Sequence, residues 1–213
     1  MVQDPYARLE TVLREEGFHL LAGVDEAGRG PLAGPVVAAA CIIPNTVVLE
    51  GIRDSKQLSP ALRKKLFWNI IARAIVGVGV VGEQEIDRIN ILNASLLAMQ
   101  RAVLALSVTP DFLLIDGQFP IHLPIHQMPV IRGDEKLVSI GAASIVAKVT
   151  RDEMMCVLDL KYPHYGFRDH KGYPTRAHIA ALETHGPSPI HRLSFRPVAQ
   201  VASERLHVGF VAP

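Results

Sequence analysis

A chain of 213 residues has room for one large domain, or a domain with a small appendage. Nearly half of its residues are apolar, 20% are charged, and Lys plus Arg total 22 against 21 Asp plus Glu. That composition excludes a disordered chain and a globally basic nucleic-acid binder, so any basic surface has to be local and offset by acids.

Residues 6–16 read as a short charged helix that stops at Gly17. His19–Val24 reads as a strand, and Pro35–Ile43, rich in Val, Ile and Ala, as a second and mostly buried one. Ser59-Pro60 is a helix start, with serine as N-cap and proline at the first helical position. That helix reaches about Ala74, with Leu62, Leu66, Ile70 and Ala74 on one face. Ala74–Val81 is a third strand. Residues 83–106 are helical with a break near Asn90–Asn93, and Phe112–Ile115 is a short strand that ends at Asp116. Residues 121–131 are extended and punctuated by proline, Ser139–Leu160 is a long helix, and Thr175 caps another that ends at Gly186-Pro187. The tail from Val198 is weakly patterned.

Strands in close succession, then strands alternating with helices, predict an α/β domain with a mixed sheet flanked by helices. The last third, from about residue 160 to 213, is predicted as a helical extension of the same single unit. Cys41 and Cys156 lie far apart in apolar contexts and suggest no disulfide. The longest apolar stretch, Val36–Ile43, is far short of the roughly 20 residues that span a bilayer. The first residues show no secretory signal pattern. A cytoplasmic protein without membrane contact, monomeric by default, is the expectation.

Glycines after the first strand invite a phosphate-loop reading, which the residues reject. In Gly23–Gly30 an arginine stands where the loop lysine belongs, and Gly30 stands where the Ser/Thr belongs. The spacing of Gly28, Gly30 and Gly34 also fails the dinucleotide fingerprint, and a strand rather than a helix follows.

Four carboxylates carry the chemistry. Asp25 and Glu26 end the first strand, Asp116 stands in "FLLIDG", and Asp134 lies in "RGDEK" before the long helix. Asp25 and Asp116 meet at the rim of the sheet if their strands are neighbours. Asp134 reads equally well as a helix cap. Two unit charges about 4 Å apart repel by about 4 kcal/mol at an effective dielectric of about 20. Against a total stability of about 5–15 kcal/mol, such a cluster calls for cations. Its all-oxygen donors favour magnesium or manganese over zinc. Two divalent ions held by carboxylates are the arrangement of phosphoryl-transfer sites. Successive strand residues point to opposite faces, so Asp25 and Glu26 share a site only if the strand bends after Asp25; otherwise Glu26 offers its backbone carbonyl.

The motifs "GVDEAGRGPLAGPVVAAA", "DSKQLS", "LIDG", "SIGAASIVAKVTRD", "YGFRDHKGYPT" and "HRLSF" run from about residue 20 to residue 196. In that order they resemble the bacterial ribonuclease HII family. The resemblance implies an RNase H-like α/β fold and a divalent-metal endonuclease, a hydrolase using two Mg2+ or Mn2+ ions. It implies cleavage of the RNA strand of RNA–DNA hybrids. It also implies cutting 5′ of single ribonucleotides in duplex DNA, leaving 3′-hydroxyl and 5′-phosphate ends. By motif match, Asp25, Glu26, Asp116 and Asp134 are the metal-binding catalytic acids. Gly28-Arg29-Gly30 matches the loop that senses the 2′-hydroxyl, and Tyr173 the ring that packs on the adjoining deoxyribose. Lys56 and Lys148 are candidates for phosphate contacts. Physical chemistry agrees: reading a 2′-hydroxyl takes a donor or acceptor at close range, and glycine lets the backbone come that close.

Two other readings stay open on the residues alone. A nuclease of the same fold acting on DNA strand-exchange intermediates needs neither Gly28-Arg29-Gly30 nor Tyr173. A non-catalytic hybrid-binding module needs no four acids. Arg63-Lys64-Lys65 reads as a solvated face or a support for the duplex backbone. His164, His170, His178, His185 and His191 crowd the last third with spacings that match no zinc pattern, and His170 is expected to position Tyr173 or to help the site.

Overall fold

The computed structural model describes residues 6, 8–49, 51, 52 and 58–208. These described residues group into two compact units, the first drawn from 6–27, 37–80 and 95–149 and the second from 28–36, 81–94 and 150–208.

The first unit is built on a five-stranded sheet. In chain order its elements are α1 (Leu9–Glu15), β1 (Leu21–Ala27), β2 (Val36–Ile42), α2 (Pro60–Arg73) and β3 (Ile75–Val81). The later half of α3 (Glu83–Leu104) follows, then β4 (Phe112–Asp116), β5 (His126–Val130), α4 (Gly133–Lys136) and the first half of α5 (Val138–Lys161). The strand order is β3-β2-β1-β4-β5. β1 pairs antiparallel with β2 and parallel with β4, and β4 pairs parallel with β5. The mixed α/β sheet expected from the pattern is the observed one. β2 is buried along its whole length, which is why it reads as a continuous apolar run rather than an alternating one. β5 closes one edge with alternating exposure, and Pro129 is tolerated there because an edge strand can spare a donor.

α5 lies directly on β1. A Cβ on Gly23 would stand 2.1 Å from the Ser139 carbonyl carbon and 2.3 Å from the Ile140 nitrogen, so only glycine lets helix and strand backbones touch. Ala39, Cys41, Leu66, Ile70, Ile145 and Val149 form one core cluster; Leu21, Phe112, Leu114, Val130 and Ile140 form another. Each buried Leu or Ile contributes about 1.5–3 kcal/mol. Cys41 and Cys156 are free thiols, as expected.

The local start and break signals hold. Ser59 Oγ accepts from the Leu62 N–H at 3.3 Å ahead of Pro60. α3 is interrupted at Asn90 (φ 67°), whose side chain then accepts from the Asn93 N–H at 3.1 Å and restarts the helix.

The second unit is mostly helical. It holds the beginning of α3, the end of α5, a 3-10 turn at Pro163–Tyr165, α6 (Phe167–His170), α7 (Arg176–His185) and α8 (Arg196–Val208). Thr175 caps α7 by accepting from the His178 N–H, and Gly186 ends it at φ 77°. The tail read as weakly patterned is α8. Among its described residues it buries Val198 and Val201, which pack with Leu32 and Leu182. No helix among the described residues is long and apolar enough to cross a membrane.

Candidate active site

β1 and β4 stay paired as far as Val24 and Ile115, and the carboxylates stand just past that last pair. One carboxylate oxygen each from Asp25, Glu26 and Asp116 all lie within 4.8 Å of one another. β1 keeps its register with β2 to Ala27, and the positive-φ turn comes at Gly28. Glu26 brings its side chain, and not only its backbone carbonyl, to the cluster. Asp25 is 5% exposed, and its Oδ1 accepts from the Glu26 N–H at 2.7 Å. Asp116 Oδ1 accepts from the Gly133 N–H at 2.7 Å, which orients that carboxylate from α4. Asp134, the next residue, is buried but lies outside the three-carboxylate group.

Burial drives the Asp25 carboxyl well above the usual carboxylate range, Glu26 and Asp116 add to it, and a hydrogen bond from Ser144 opposes it. An ionised, desolvated carboxylate between two others asks for a cation, and all-oxygen donors at this spacing suit Mg2+ or Mn2+. Because the folded state raises this pKa, it contributes stability fully present below the ordinary aspartate value and lost as pH rises through the folded one. Asp25→Asn in chelator is therefore expected to raise the melting temperature by a few degrees at pH 8 and by nothing at pH 4. A thermal melt at the two pH values checks it; a lower melting temperature at pH 8 contradicts the electrostatic account.

The second unit holds the loop that follows. Arg192 is fully buried and spends all five of its N–H groups on that loop. Nε donates to Gly34 O, Nη1 to Arg29 O and Pro31 O, and Nη2 to Gly28 O and Gly34 O, at 2.7–3.0 Å. Arg151, also fully buried, donates to the carbonyls of Pro35, Ala33 and Lys171. Burial, then the like charge of Arg151, lowers the Arg192 pKa to about 9, which leaves it protonated at neutral pH. Gly28 sits at φ 98°, and a Cβ there would strike Arg151 Nε at 2.0 Å, so both the turn and the clamp need glycine. Arg29 and Gly30 are exposed beyond the clamp. A Cβ on Gly30 would meet the Tyr173 ring at 3.7 Å, and Tyr173 is 40% exposed with the Arg151 guanidinium 6.0 Å from its ring. The loop and the tyrosine named from sequence are thus neighbours.

Lys148 is half-buried on α5, one turn beyond Ser144 and on the same helix face. Lys56 lies outside the described residues. Lys64 and Lys65 are exposed on α2 and Arg63 is half-buried there, donating to Leu58 O at 2.9 Å. The reading from sequence missed Ser144, Arg151 and Arg192. Their signal was faint: Ser144 precedes Lys148 by four residues, and both arginines stand in quoted motifs.

Comparison with known proteins agrees with this geometry. The family model for ribonuclease HII matches residues 22–198. The ribonuclease HII of Geobacter metallireducens is 54% identical over 192 residues, covering 90% of each chain. That of Geobacter sulfurreducens is 52% identical over 196 residues, covering 92% of this chain and 90% of its own. The crystal structure of the ribonuclease H2 from Pyrococcus horikoshii OT3 superposes with a TM-score of 0.73 at 28% identity, covering 86% of this chain and 97% of that one. Matched over most of its length, and carrying three clustered carboxylates at the open ends of its central strands, this chain belongs to the ribonuclease HII family of metal-dependent ribonucleases.

Proposed function

We propose that this ribonuclease cuts the RNA strand of RNA–DNA hybrids and cuts 5′ of single ribonucleotides embedded in duplex DNA, leaving 3′-hydroxyl and 5′-phosphate ends. The observation that carries the reading is the approach of the Asp25, Glu26 and Asp116 oxygens to within 4.8 Å of one another in a chain of this family. Those three, with Asp134 on α4 as the fourth acid of the motif set, are the residues that would hold two divalent ions. Such ions, when bound, would supply activation of water and neutralisation of charge on the phosphate and the departing 3′-oxygen.

The protein's own residues orient and select. The Gly133 N–H fixes the Asp116 carboxylate, and Ser144 and the Glu26 N–H fix that of Asp25. Lys148 is suited to a phosphate near the acids. In the second unit, clamped carbonyls turn the Gly28–Gly34 loop in one direction, and Arg29 supplies a guanidinium able to fork onto a phosphate. Tyr173 offers an exposed ring to a sugar without a 2′-hydroxyl.

The test is gel analysis of a labelled DNA duplex carrying one ribonucleotide, with an all-DNA duplex as control, in Mg2+, Mn2+ or chelator. The expected result is one metal-dependent cut 5′ of the ribonucleotide and none in the control. Cleavage of a long hybrid without that cut would leave the acid cluster standing and overturn the sugar-reading roles of Arg29 and Tyr173.

A further inference from the structure

Three histidines of the second unit are packed behind the Tyr173 loop, and their hydrogen bonds leave each only one neutral form. His191 Nδ1 faces the Ser188 backbone N–H at 2.9 Å, with Ser188 Oγ at 2.8 Å. A backbone N–H can only donate, so that nitrogen carries no proton and His191 holds its hydrogen on Nε2. His191 Nε2 lies 3.1 Å from His178 Nε2, which must then accept. His178 therefore carries its own hydrogen on Nδ1, 2.9 Å from the Tyr173 carbonyl oxygen. His170 stacks on His178 with ring centroids 4.4 Å apart, accepts from the Gly172 N–H on Nδ1, and faces Tyr165 O through Nε2 at 2.8 Å. His178 and His191 are both essentially buried.

We propose that His191 and His178 form a neutral relay that positions Tyr173, carrying the hydrogen bond of the Ser188 turn to the Tyr173 carbonyl and so holding its ring in register with Gly30. They are positioning residues that act through Tyr173, and the inference rests on the reading of Tyr173 given above. The relay also explains why a histidine precedes the clamping arginine. His191 reaches toward the tyrosine while Arg192 holds the loop, so one dipeptide sets both sugar-reading elements. The surroundings favour the neutral forms. Burial, then His178, lowers the His191 pKa to about 4, and burial lowers that of His178. The ionisable groups facing the pair are His170 and Tyr165, whose ring lies 5.0 Å from His191. A proton added to either histidine would put two N–H groups face to face.

The first test is spectroscopic and independent of activity. Long-range proton–nitrogen correlation of the whole protein at pH 7 should show His178 with hydrogen on Nδ1 and His191 with hydrogen on Nε2; the reverse assignment overturns the relay. The second compares the cutting rate on a duplex with one ribonucleotide with that on a long RNA–DNA hybrid. His178→Phe keeps an aromatic ring and removes the donor, and the ratio of the two rates should fall about tenfold. His178→Asn keeps a donor near the Nδ1 position and should hold the ratio within about threefold of wild type. His191→Leu, at the other end of the relay, carries the same expectation as His178→Phe should that variant melt below the assay temperature. Tyr173→Ala is the reference. If it lowers the ratio and the histidine variants do not, the relay falls; if it leaves the ratio unchanged, the reading of Tyr173 falls and takes the relay's role with it.

Discussion

Asp116→Asn yields a folded protein that does not cut. The substitution keeps the shape of the side chain and leaves an oxygen to accept from the Gly133 N–H, now 2.7 Å from Oδ1. It removes one of three negative charges whose oxygens lie within 4.8 Å of one another, and with it one of the three oxygen donors that could hold a metal ion. The fold has no reason to suffer, because Asp116 is one of the groups that raise the Asp25 pKa, and its neutralisation relieves repulsion. Turnover is expected to drop by at least about a thousandfold, since the lost charge stabilises the transition state in a partly desolvated site. Single-turnover cleavage in saturating Mg2+, beside a thermal melt, measures both halves. Activity above a tenth of wild type would remove Asp116 from the site, and a collapsed melting temperature would make its role structural.

Arg192→Met is expected to unfold the second unit under mild conditions. The guanidinium makes five hydrogen bonds to four carbonyls, and Met fills the volume while satisfying none of them. An unsatisfied buried polar group costs about 1–3 kcal/mol, and removing one partner from a buried charged network costs about 3–5 kcal/mol. For a chain of this size, 1 kcal/mol moves the melting temperature by about 2–4 °C, so a fall of about 10 °C is expected. Arg192→Lys keeps the charge but has three donors and no planar fork, so it should lie between wild type and Met. A melting temperature within about 2 °C of wild type for Arg192→Met would show that the loop holds its shape without the clamp.

These two residues mark how far the sequence was legible. Asp116 announced itself as an acid beside glycine at the end of a four-residue apolar strand, and such an acid can serve at the rim of a sheet. Arg192 stands in the "HRLSF" motif, but nothing in the residues beside it tells its role until the carbonyls around it are seen. Asn90 was readable as a helix break because its own side chain makes the capping bond. α8 was not, because its burial depends on Leu32 and Leu182, which are distant in the chain. The path of Glu26 shows the same limit. Strand alternation left open whether its side chain or only its backbone carbonyl reaches the site, and the fold brings the carboxylate within 4.8 Å of the other two.

The sequence by itself determined the alternation of strands and helices, the acids placed after apolar runs, and the motif order that resembles ribonuclease HII. Those are signals of local period, composition and spacing, and they survive without a fold. Only the tertiary structure decided which acids share a site, that Ser144 and the Gly133 N–H orient them, and that Arg151 and Arg192 hold the loop. The arginine contacts with the loop join residues more than a hundred positions apart, and the bond that orients Asp116 joins it to Gly133. Sequence spacing carries no trace of such contacts, because they exist only once the strands have chosen their neighbours.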